Sequence, residues 1–436
     1  MASAGTADLG HAWRGVVRRL SAVMLGLTMI TGGYLGHRFW GQEHPPVRMA
    51  GIQLGADGQV REASIAYRSP PLMAVLSRVD QQQEWLGAGR IPTVPELGST
   101  TLVSDALVDL DTLARPYGVA VAGWAPAWRY VWPRDAAFVA SALARTGHPG
   151  DAERNLAFLQ RVQPESGLFE ARYLPDGSGV PDGRGHQQDG TGWSLWALQQ
   201  VASQVADGDE RTQLIDRYRR LLDRSSEASL RLAATRSGLP PASADYWEVK
   251  ESRLTLSTAA ILLTGLRSSA GLHRQIARPA KAAELDAAAD RVQQAVLAAF
   301  GPDGFPRRHG GSARSADLGT SFLLAPFAGV SDASVDTAWA GAPIRMRRPA
   351  GGLAPGGSWR NDGISWTPTT STYAVAAACR DRASALHWLG WLDQHRTDQG
   401  ALPEKVLRNG SPASVAPLAW TAAAVVIAAD ELERGC

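Results

Sequence analysis

The chain has 436 residues, of which 44% are hydrophobic and 20% are charged, an ordinary globular balance that can fill a sizeable core. Lys and Arg number 44 against 42 Asp and Glu, and no long basic run is present, so we expect no nucleic-acid partner. The 15 Trp are unusual beside 8 Tyr and 8 Phe. Trp suits stacking on sugar rings, but large helical cores also use it, and composition alone favours the core role.

The N-terminal region predicts a membrane anchor. Three arginines, the last of them Arg19, precede an uncharged run of about 17 residues, Leu20–Gly36, at the short end of a membrane-spanning helix. The basic flank predicts a cytoplasmic N-terminus. No small-x-small cleavage site follows directly, which favours an uncleaved signal anchor over a removed signal peptide. We therefore expect residues 1–36 to anchor the protein in the lipid bilayer, with the rest of the chain outside the cytoplasm. If this segment is cleaved instead, we expect a secreted protein.

Residues 37–98 are predicted to form a linker or collar with one short hairpin. A turn signal at residues 55–58 precedes alternating apolar and polar side chains over Gln59–Arg68, which is typical of a short strand or hairpin. Prolines interrupt the remainder, at Pro70, Pro71, Pro92 and Pro95.

From about Thr100 onward the apolar residues follow helical spacing. This pattern covers Leu102–Leu113, Ala136–Arg145, Ala152–Val162, Trp193–Val205, Thr212–Thr235, Leu256–Ala270, Ala280–Phe300 and Ala419–Leu432. Joints rich in Gly and Pro separate these segments, at Gly147–Gly150, Pro175–Gly185, Gly238–Pro241, Gly301–Pro306 and Gly351–Gly357. About a dozen helices without a fixed-length repeat predict an all-α domain over residues 99–436, either a closed helical toroid or a loose bundle.

Cysteines and histidines give no sign of a metal or redox site. Cys379 and Cys436 lack metal or redox spacing. One disulfide between them is an option, but the apolar run at residues 373–379 favours a buried free thiol at Cys379. Nine His are scattered without ligand spacing, so we expect no catalytic zinc. Dinucleotide, phosphate-loop, zinc-protease and serine-hydrolase motifs are absent as well, which leaves carboxylates to carry any chemistry.

Two joints combine polar and aromatic residues. The first, with sequence WRYVWPRD from Trp128 to Asp135, sets an arginine beside an aspartate among aromatic rings, a combination that binds sugar hydroxyls. A structural ion pair with Asp135 as helix N-cap explains it equally well. The second, QQDGTGW from Gln187 to Trp193, is a polar turn that a capped helix start also explains.

Two further joints carry glutamates. Glu248 follows Trp247, and packing a carboxyl against Trp disfavours its charged form, which suits a proton donor. Glu404 is the last residue of the sequence GALPE. The sequence PLAW lies further along the chain, from Pro417 to Trp420. Glu404 fits a catalytic base and equally a surface charge. Each joint alone favours a structural role, but together they supply the two carboxyls in an aromatic cleft that glycoside cleavage requires.

The order of these motifs resembles glycoside hydrolase family 15, which includes glucoamylases, glucodextranases and some trehalases. The motifs are WPRD, QxDxxGW, WE, LPE and PLxW, and the resemblance spans roughly Ser99 to Leu432. It implies an (α/α)6 barrel with the site at one mouth. It further implies an exo-acting, inverting hydrolase of α-linked sugars that needs no cofactor, with an oligo- or polysaccharide as its partner.

The resemblance also assigns residues. It implies that Glu248 is the general acid, that Glu404 is the general base, and that Arg134 and Asp135 hold the terminal sugar. The remaining candidates for substrate binding are Trp128, Tyr130, Trp132, Gln188, Asp189, Trp193, Trp247, Asp317, Arg360, Asp362 and Trp420.

The sequence departs from the family in three ways. Val249 stands where many relatives carry a second carboxylate for the departing sugar, the helical region is compact, and neither a starch-binding module nor a full N-terminal β-sandwich is present. The resemblance therefore covers the hydrolytic core but not starch specificity. A non-catalytic glycan-binding protein of the envelope and a helical-toroid phosphorylase are the alternatives, and the presence of both carboxyls favours the hydrolase.

Overall fold

The computed structural model describes residues 48–49, 51–54, 60–63 and 72–435, with side chains from residue 80 onward. The predicted membrane anchor at residues 20–36 lies outside the described residues. Within the described ranges, no helix combines the length and the apolar character needed to cross a bilayer. The described residues belong to one compact unit.

The N-terminal part of this unit contains the predicted hairpin. Strand β2 (Gly51–Leu54) pairs antiparallel with β3 (Val60–Ala63). Strand β1 (Arg48–Met49) instead pairs in parallel with β7 (Val415–Ala416), far along the chain. A helix, α1 (Leu72–Ala88), follows where only linker was predicted.

Helices make up most of the remaining chain. They are α2 (Leu102–Ala114), α3 (Pro133–Arg145), α4 (Pro149–Val162), α5 (Asp189–Ser203), α6 (Gly208–Arg217), α7 (Arg219–Ala233), α8 (Leu256–Gln275), α9 (Pro279–Phe300), α10 (Gly319–Leu323), α11 (Ala333–Met346), α12 (Thr367–Ala378), α13 (Arg382–Gln394) and α14 (Ala419–Arg434). Three short strands, β4 (Ser365–Trp366), β5 (Lys405–Val406) and β6 (Pro412–Ala413), form a small antiparallel sheet.

Six of these helices form a closed inner ring. Helix α3 contacts α5, α5 contacts α8, and the contacts continue through α10, α12 and α14 back to α3. An outer helix packs on each inner one, since α2 covers α14, α4 covers α3, α7 covers α5, α9 covers α8, α11 covers α10 and α13 covers α12. This is the (α/α)6 arrangement that was predicted.

The composition of the inner helices explains why they lie inside. Every residue of α3 is buried, as is nearly every residue of α12 and α14, and all three are rich in Ala. A helix without a polar face must be covered on all sides. Glycines allow α5 and α8 to approach closely, because a Cβ at Gly192 would lie 2.2 Å from the backbone oxygen of Ile261.

The predicted helices are present, with two differences. The segment Thr212–Thr235 forms two helices, α6 and α7, which meet at Tyr218. Helices α10 to α13 were not predicted individually. Cys379 is disulfide-bonded, so the expectation of a free thiol there is wrong. The other cysteine of the chain, Cys436, lies outside the described residues.

Candidate active site

A cavity of about 360 Å³ opens where the inner helices begin. Its wall includes the segments that lead into α3, α12 and α14, together with the loop before α8. Aromatic rings form much of the wall, contributed by Trp128, Trp132, Tyr246, Trp247, Trp359, Trp366 and Trp420. The charged lining residues are Arg134, Asp135, Arg172, Arg184, Glu248 and Glu404.

The tryptophans bring unused hydrogen-bond donors to the cavity. The indole nitrogens of four of them are buried and have no partner among the described residues, at Trp132, Trp359, Trp366 and Trp420. A buried donor without a partner is costly unless a ligand supplies an acceptor. The cavity therefore suits a ligand that offers both flat apolar faces and hydroxyl oxygens.

Glu404 is held by three donors. Trp128 Nε1 donates to one carboxylate oxygen at 3.2 Å, and Ser414 Oγ donates to the other at 2.5 Å. Lys405 Nζ lies 3.3 Å from that second oxygen. The backbone is fixed too, because Glu404 N donates to Val415 O at 2.8 Å and Thr367 N donates to Glu404 O at 3.0 Å. The carboxylate is thus fixed in position and compensated in charge.

Glu248 stands on a loop in an unusual backbone conformation. Its φ is +54°, a left-handed region that costs a non-glycine residue roughly 1–3 kcal/mol. The half-buried carboxylate forms an ion pair with Arg184 and lies 3.7 Å from Arg134 Nη2. The sequence predicted desolvation by Trp247 as the main influence on this carboxyl. The ion pair with Arg184 was not foreseen.

Arg134 and Asp135 form a buried pair in the first turn of α3. Arg134 Nη2 lies 3.2 Å from Asp135 Oδ2, and the guanidinium lies 4.4 Å from the ring centroid of Trp420. Nε and Nη1 of Arg134 are buried without partners among the described residues. Burial raises the pKa of Asp135 to about 6, although Arg134 lowers it. Asp135 is not the N-cap, because the helix begins at Pro133.

A buried ionic cluster supports the loop that carries Glu248, residues 245–251. Arg307 is fully buried, and its guanidinium lies 3.6 Å from the ring centroid of Trp247. It donates to Asp245 at 2.7 Å, to Asp317 at 2.7 Å and to Glu251 at 3.0 Å. Burial acts to raise the pKa of Asp245, but Arg307 holds it below its usual value.

Several predicted residues lie behind the cavity wall. Asp317 belongs to the cluster around Arg307 and does not line the cavity. Trp193 packs in an aromatic core against Phe138 and Phe322. Asp189 is buried in the first turn of α5, directly after Gln188, and neither residue lines the cavity.

Three more predicted residues support the wall without lining it. Tyr130 lies under the guanidinium of Arg172 at 4.3 Å. Arg360 lies 5.8 Å from the ring centroid of Trp359. Asp362 accepts a hydrogen bond from the backbone nitrogen of Ile364 at 3.0 Å.

Among the charged and aromatic lining residues, sequence reasoning missed five, namely Arg172, Arg184, Tyr246, Trp359 and Trp366. Two of them carried a usable signal, since Arg184 lies in the predicted joint Pro175–Gly185 and Trp359 lies just beyond Gly357. In the part of the chain that the structure describes, no group of His, Cys, Asp and Glu side chains is placed to hold a metal ion.

Comparison with solved structures finds this fold in glycosidases and glucoamylases. A glycosidase in its wild-type form matches with a TM-score of 0.64 and 21% identity over 78% of this chain and 98% of its own. A bacterial glucoamylase complexed with acarbose matches with a TM-score of 0.66 and 16% identity over 83% of this chain and 59% of its own. The glucoamylase of Saccharomycopsis fibuligera matches with a TM-score of 0.58 and 14% identity over 85% and 97% of the two chains.

These likenesses confirm the predicted resemblance at the level of the fold, which is the helical toroid of glucoamylases. No family model and no curated protein matches the sequence.

Proposed function

We propose that this protein is an exo-acting, inverting glycoside hydrolase that cleaves α-linked sugars, with Glu248 as general acid and Glu404 as general base. One observation carries the proposal: the two glutamates line a single cavity whose wall is built largely from tryptophan rings. Glycoside hydrolysis requires this combination of two carboxyls and a sugar-binding cleft.

The two glutamates take different roles because their surroundings differ. Glu404 accepts hydrogen bonds from Trp128 and Ser414 and lies beside Lys405, which suits a charged base that removes a proton from water. The activated water then attacks the anomeric carbon while Glu248 protonates the departing oxygen. A phosphorylase has no need of this base, so the contacts of Glu404 favour the hydrolase.

The terminal sugar would bind beside Arg134 and Asp135. Arg134 has two unpartnered nitrogens that can donate to hydroxyls, and Trp420 lies against its guanidinium. Solved structures of the same fold include a glycosidase in complex with glucose and a glucoamylase complexed with acarbose. These complexes support a saccharide ligand for the cavity.

The test replaces each glutamate by glutamine, which keeps the shape and removes proton transfer. Screened on a panel of α-linked di- and polysaccharides, Glu248→Gln and Glu404→Gln should each lose about 10²–10⁴-fold in kcat, while sugar binding, followed by tryptophan fluorescence, survives. Glu210→Gln, at an exposed glutamate of α6, is the control and should keep full activity.

The stereochemistry is tested separately by an NMR time course of the wild-type reaction. The first sugar formed from an α-linked substrate should be the β anomer. Initial release of the α anomer would disprove the inverting mechanism even if both variants were inactive.

We also propose that residues 20–36 hold the hydrolase at the outer face of the membrane. The support is the uncharged run behind three arginines. Cell fractionation and sequencing of the mature N-terminus test this proposal. A soluble protein that starts near Gly41 would overturn it.

A further inference from the structure

Two arginines that line the cavity share Asp182 as a counter-charge. Arg172 donates to Ala127 O at 3.0 Å, its guanidinium lies over the ring of Tyr130, and its side chain is 9% exposed. Both Arg172 and Arg184 bind Asp182 Oδ2, the second through Nε at 3.0 Å. Arg172 is therefore rigidly held, whereas Arg184, whose side chain is 38% exposed, is the more accessible of the two.

The charges of Arg172, Arg184, Asp182 and Glu248 balance only while Glu248 is ionised. Arg172 and Arg184 carry two positive charges, and Asp182 and Glu248 carry two negative charges. Arg134 also lies 3.7 Å from Glu248, but it keeps Asp135 as its partner, and Lys405 pairs with Glu404. An ion-paired carboxylate has no proton to give, so the pair between Arg184 and Glu248 must open before Glu248 acts as an acid.

Opening that pair frees Nη1 of Arg184 beside the departing group, while its Nε still binds Asp182. Once Glu248 carries a proton, two guanidiniums share the single carboxylate of Asp182. Arg184 is exposed, so water can solvate its charge, but its freed donor can also form a charge-assisted hydrogen bond to an anion. The adjoining residues supply no anion, because Val249 is an exposed apolar side chain and Lys250 is an exposed cation.

We infer that the substrates carry an anionic group on the leaving-group side, a carboxylate or a phosphate, and that this group pairs with Arg184. The inference rests on the proposed function and names its substrate class. Arg184 is then a specificity-determining residue, and the same exchange of partners releases Glu248 from its ion pair.

The proton balance of this exchange is complete. The substrate anion replaces Glu248 as the partner of Arg184, and Glu248 takes a proton from solvent. Glu248 gives that proton to the glycosidic oxygen as the bond to the anomeric carbon breaks. Glu404 meanwhile removes a proton from the attacking water and later releases it to solvent, while Glu248 is again ionised and can re-form its pair with Arg184.

The first test compares two chromogenic substrates that differ in one charge, 4-nitrophenyl α-D-glucopyranoside and 3-carboxy-4-nitrophenyl α-D-glucopyranoside. The wild type should favour the carboxylated substrate by about tenfold in kcat/KM, the worth of one charge-assisted hydrogen bond. The Arg184→Gln variant should hydrolyse the two substrates with about equal kcat/KM. Arg236→Gln, at an exposed arginine that does not line the cavity, is the matched control and should retain the preference.

The second test measures binding without catalysis. Tryptophan fluorescence reports on the cavity, and D-glucuronate and D-glucose 6-phosphate are titrated against neutral D-glucose. At least one anion should bind about tenfold more tightly than glucose, and the two arms distinguish a carboxylate from a phosphate. Arg184→Gln should abolish the preference, whereas Asp182→Asn, which removes the competing carboxylate, should increase it.

The outcomes separate this inference from the proposed function. If the wild type hydrolyses neither these glycosides nor any member of the α-linked panel but binds the anions through Arg184, the hydrolase proposal fails and the anionic site stands. If it hydrolyses both glycosides equally, and glucose binds as tightly as the anions, the inference is overturned and the hydrolase stands. A preference that survives Arg184→Gln overturns the assignment of Arg184.

Discussion

Asp189 is a buried carboxyl whose proton affinity depends on the fold. Burial raises its pKa to about 7, although the neighbouring Arg134 lowers it. An unfolded chain would release that proton near pH 4. The folded state therefore binds the proton more tightly, and the stability that Asp189 contributes is present below about pH 4 and is lost as the pH rises towards 7.

Replacement by asparagine removes this pH dependence. Asp189→Asn mimics the protonated form. As the pH rises from about 4 to 7, the free energy of unfolding of this variant should therefore fall less than that of the wild type. The difference should grow to a few kcal/mol, up to about 4. Urea denaturation across this range measures it, with the exposed Asp398→Asn as control. Wild-type and variant curves that stay parallel would contradict the assignment.

At the residue scale, motif position predicted some side-chain locations and not others. Arg134, Glu248 and Glu404 do line one cavity. The family resemblance made Asp317 a substrate-binding candidate, but Arg307, which no motif marked, draws its carboxylate into the buried cluster. The direction of a side chain depends on such partners from distant parts of the chain, which spacing within a motif does not reveal.

The loop at residues 245–251 is fixed at both ends by one side chain. Arg307 binds Asp245, three residues before Glu248, and Glu251, three residues after it. Its guanidinium also supports the ring of Trp247 from beneath. We attribute the left-handed backbone at Glu248 to this clamp, which makes Arg307 a positioning residue for the proposed acid.

A conservative replacement tests the clamp. Arg307→Lys keeps the charge but cannot hold both ends of the loop, so the acid should shift. Hydrolysis of substrates that need leaving-group protonation should fall about 10²-fold, the cost of a displacement near 1 Å. An α-glycosyl fluoride needs little protonation and should lose less than about tenfold.

The control for this variant is Arg278→Lys, at an arginine paired with Asp223 outside the cavity. Steady-state kinetics on both substrate types give the comparison. Equal losses on the fluoride and on the poorer leaving groups would show that Arg307 acts only on the stability of the protein.

At the element scale, helical spacing located most of the helices, including buried ones such as α3 and α14, but it missed α10 to α13. Helix α12, with sequence TPTTSTYAVAAA, is buried along its whole length. Three of its four threonines donate their hydroxyls to backbone oxygens, as Thr372 does to Pro368 O at 2.7 Å. Such a helix shows no hydrophobic period. Helix α11 was missed for another reason, because it contains Pro343.

At the scale of the whole molecule, a buried ionic cluster joins the two inner helices that close the ring. Asp430 of α14 is fully buried and accepts from Arg145 of α3 at 2.8 Å. Arg90 and Arg434 bind its other oxygen. This cluster links the first inner helix to the last.

Removing the charge of Asp430 should weaken this closure. Asp430→Asn leaves several arginines around a neutral side chain, and breaking a buried pair costs about 3–5 kcal/mol. Urea denaturation followed by circular dichroism should show that loss, with Asp398→Asn unchanged. A free energy of unfolding within about 0.5 kcal/mol of the wild type would show that the cluster does not stabilise the ring.

The number of helices and their joints predicted the domain class, but ring closure was implied only by the family resemblance. Without a fixed-length repeat, the sequence left a loose bundle open as an alternative. What distinguishes the toroid is the contact between α3 and α14, two helices separated by almost three hundred positions. A contact between such distant segments leaves no local pattern.

That contact determines when the cavity can exist during synthesis. The chain emerges N-terminus first, at about 5–20 residues per second, and the cavity uses residues from Ala122 to Trp420. Until α14 is made, the apolar sides of α3 and α12 that it covers lack a partner. A prematurely terminated chain would therefore be inactive and prone to aggregate, and function would arise in a single late step rather than by degrees.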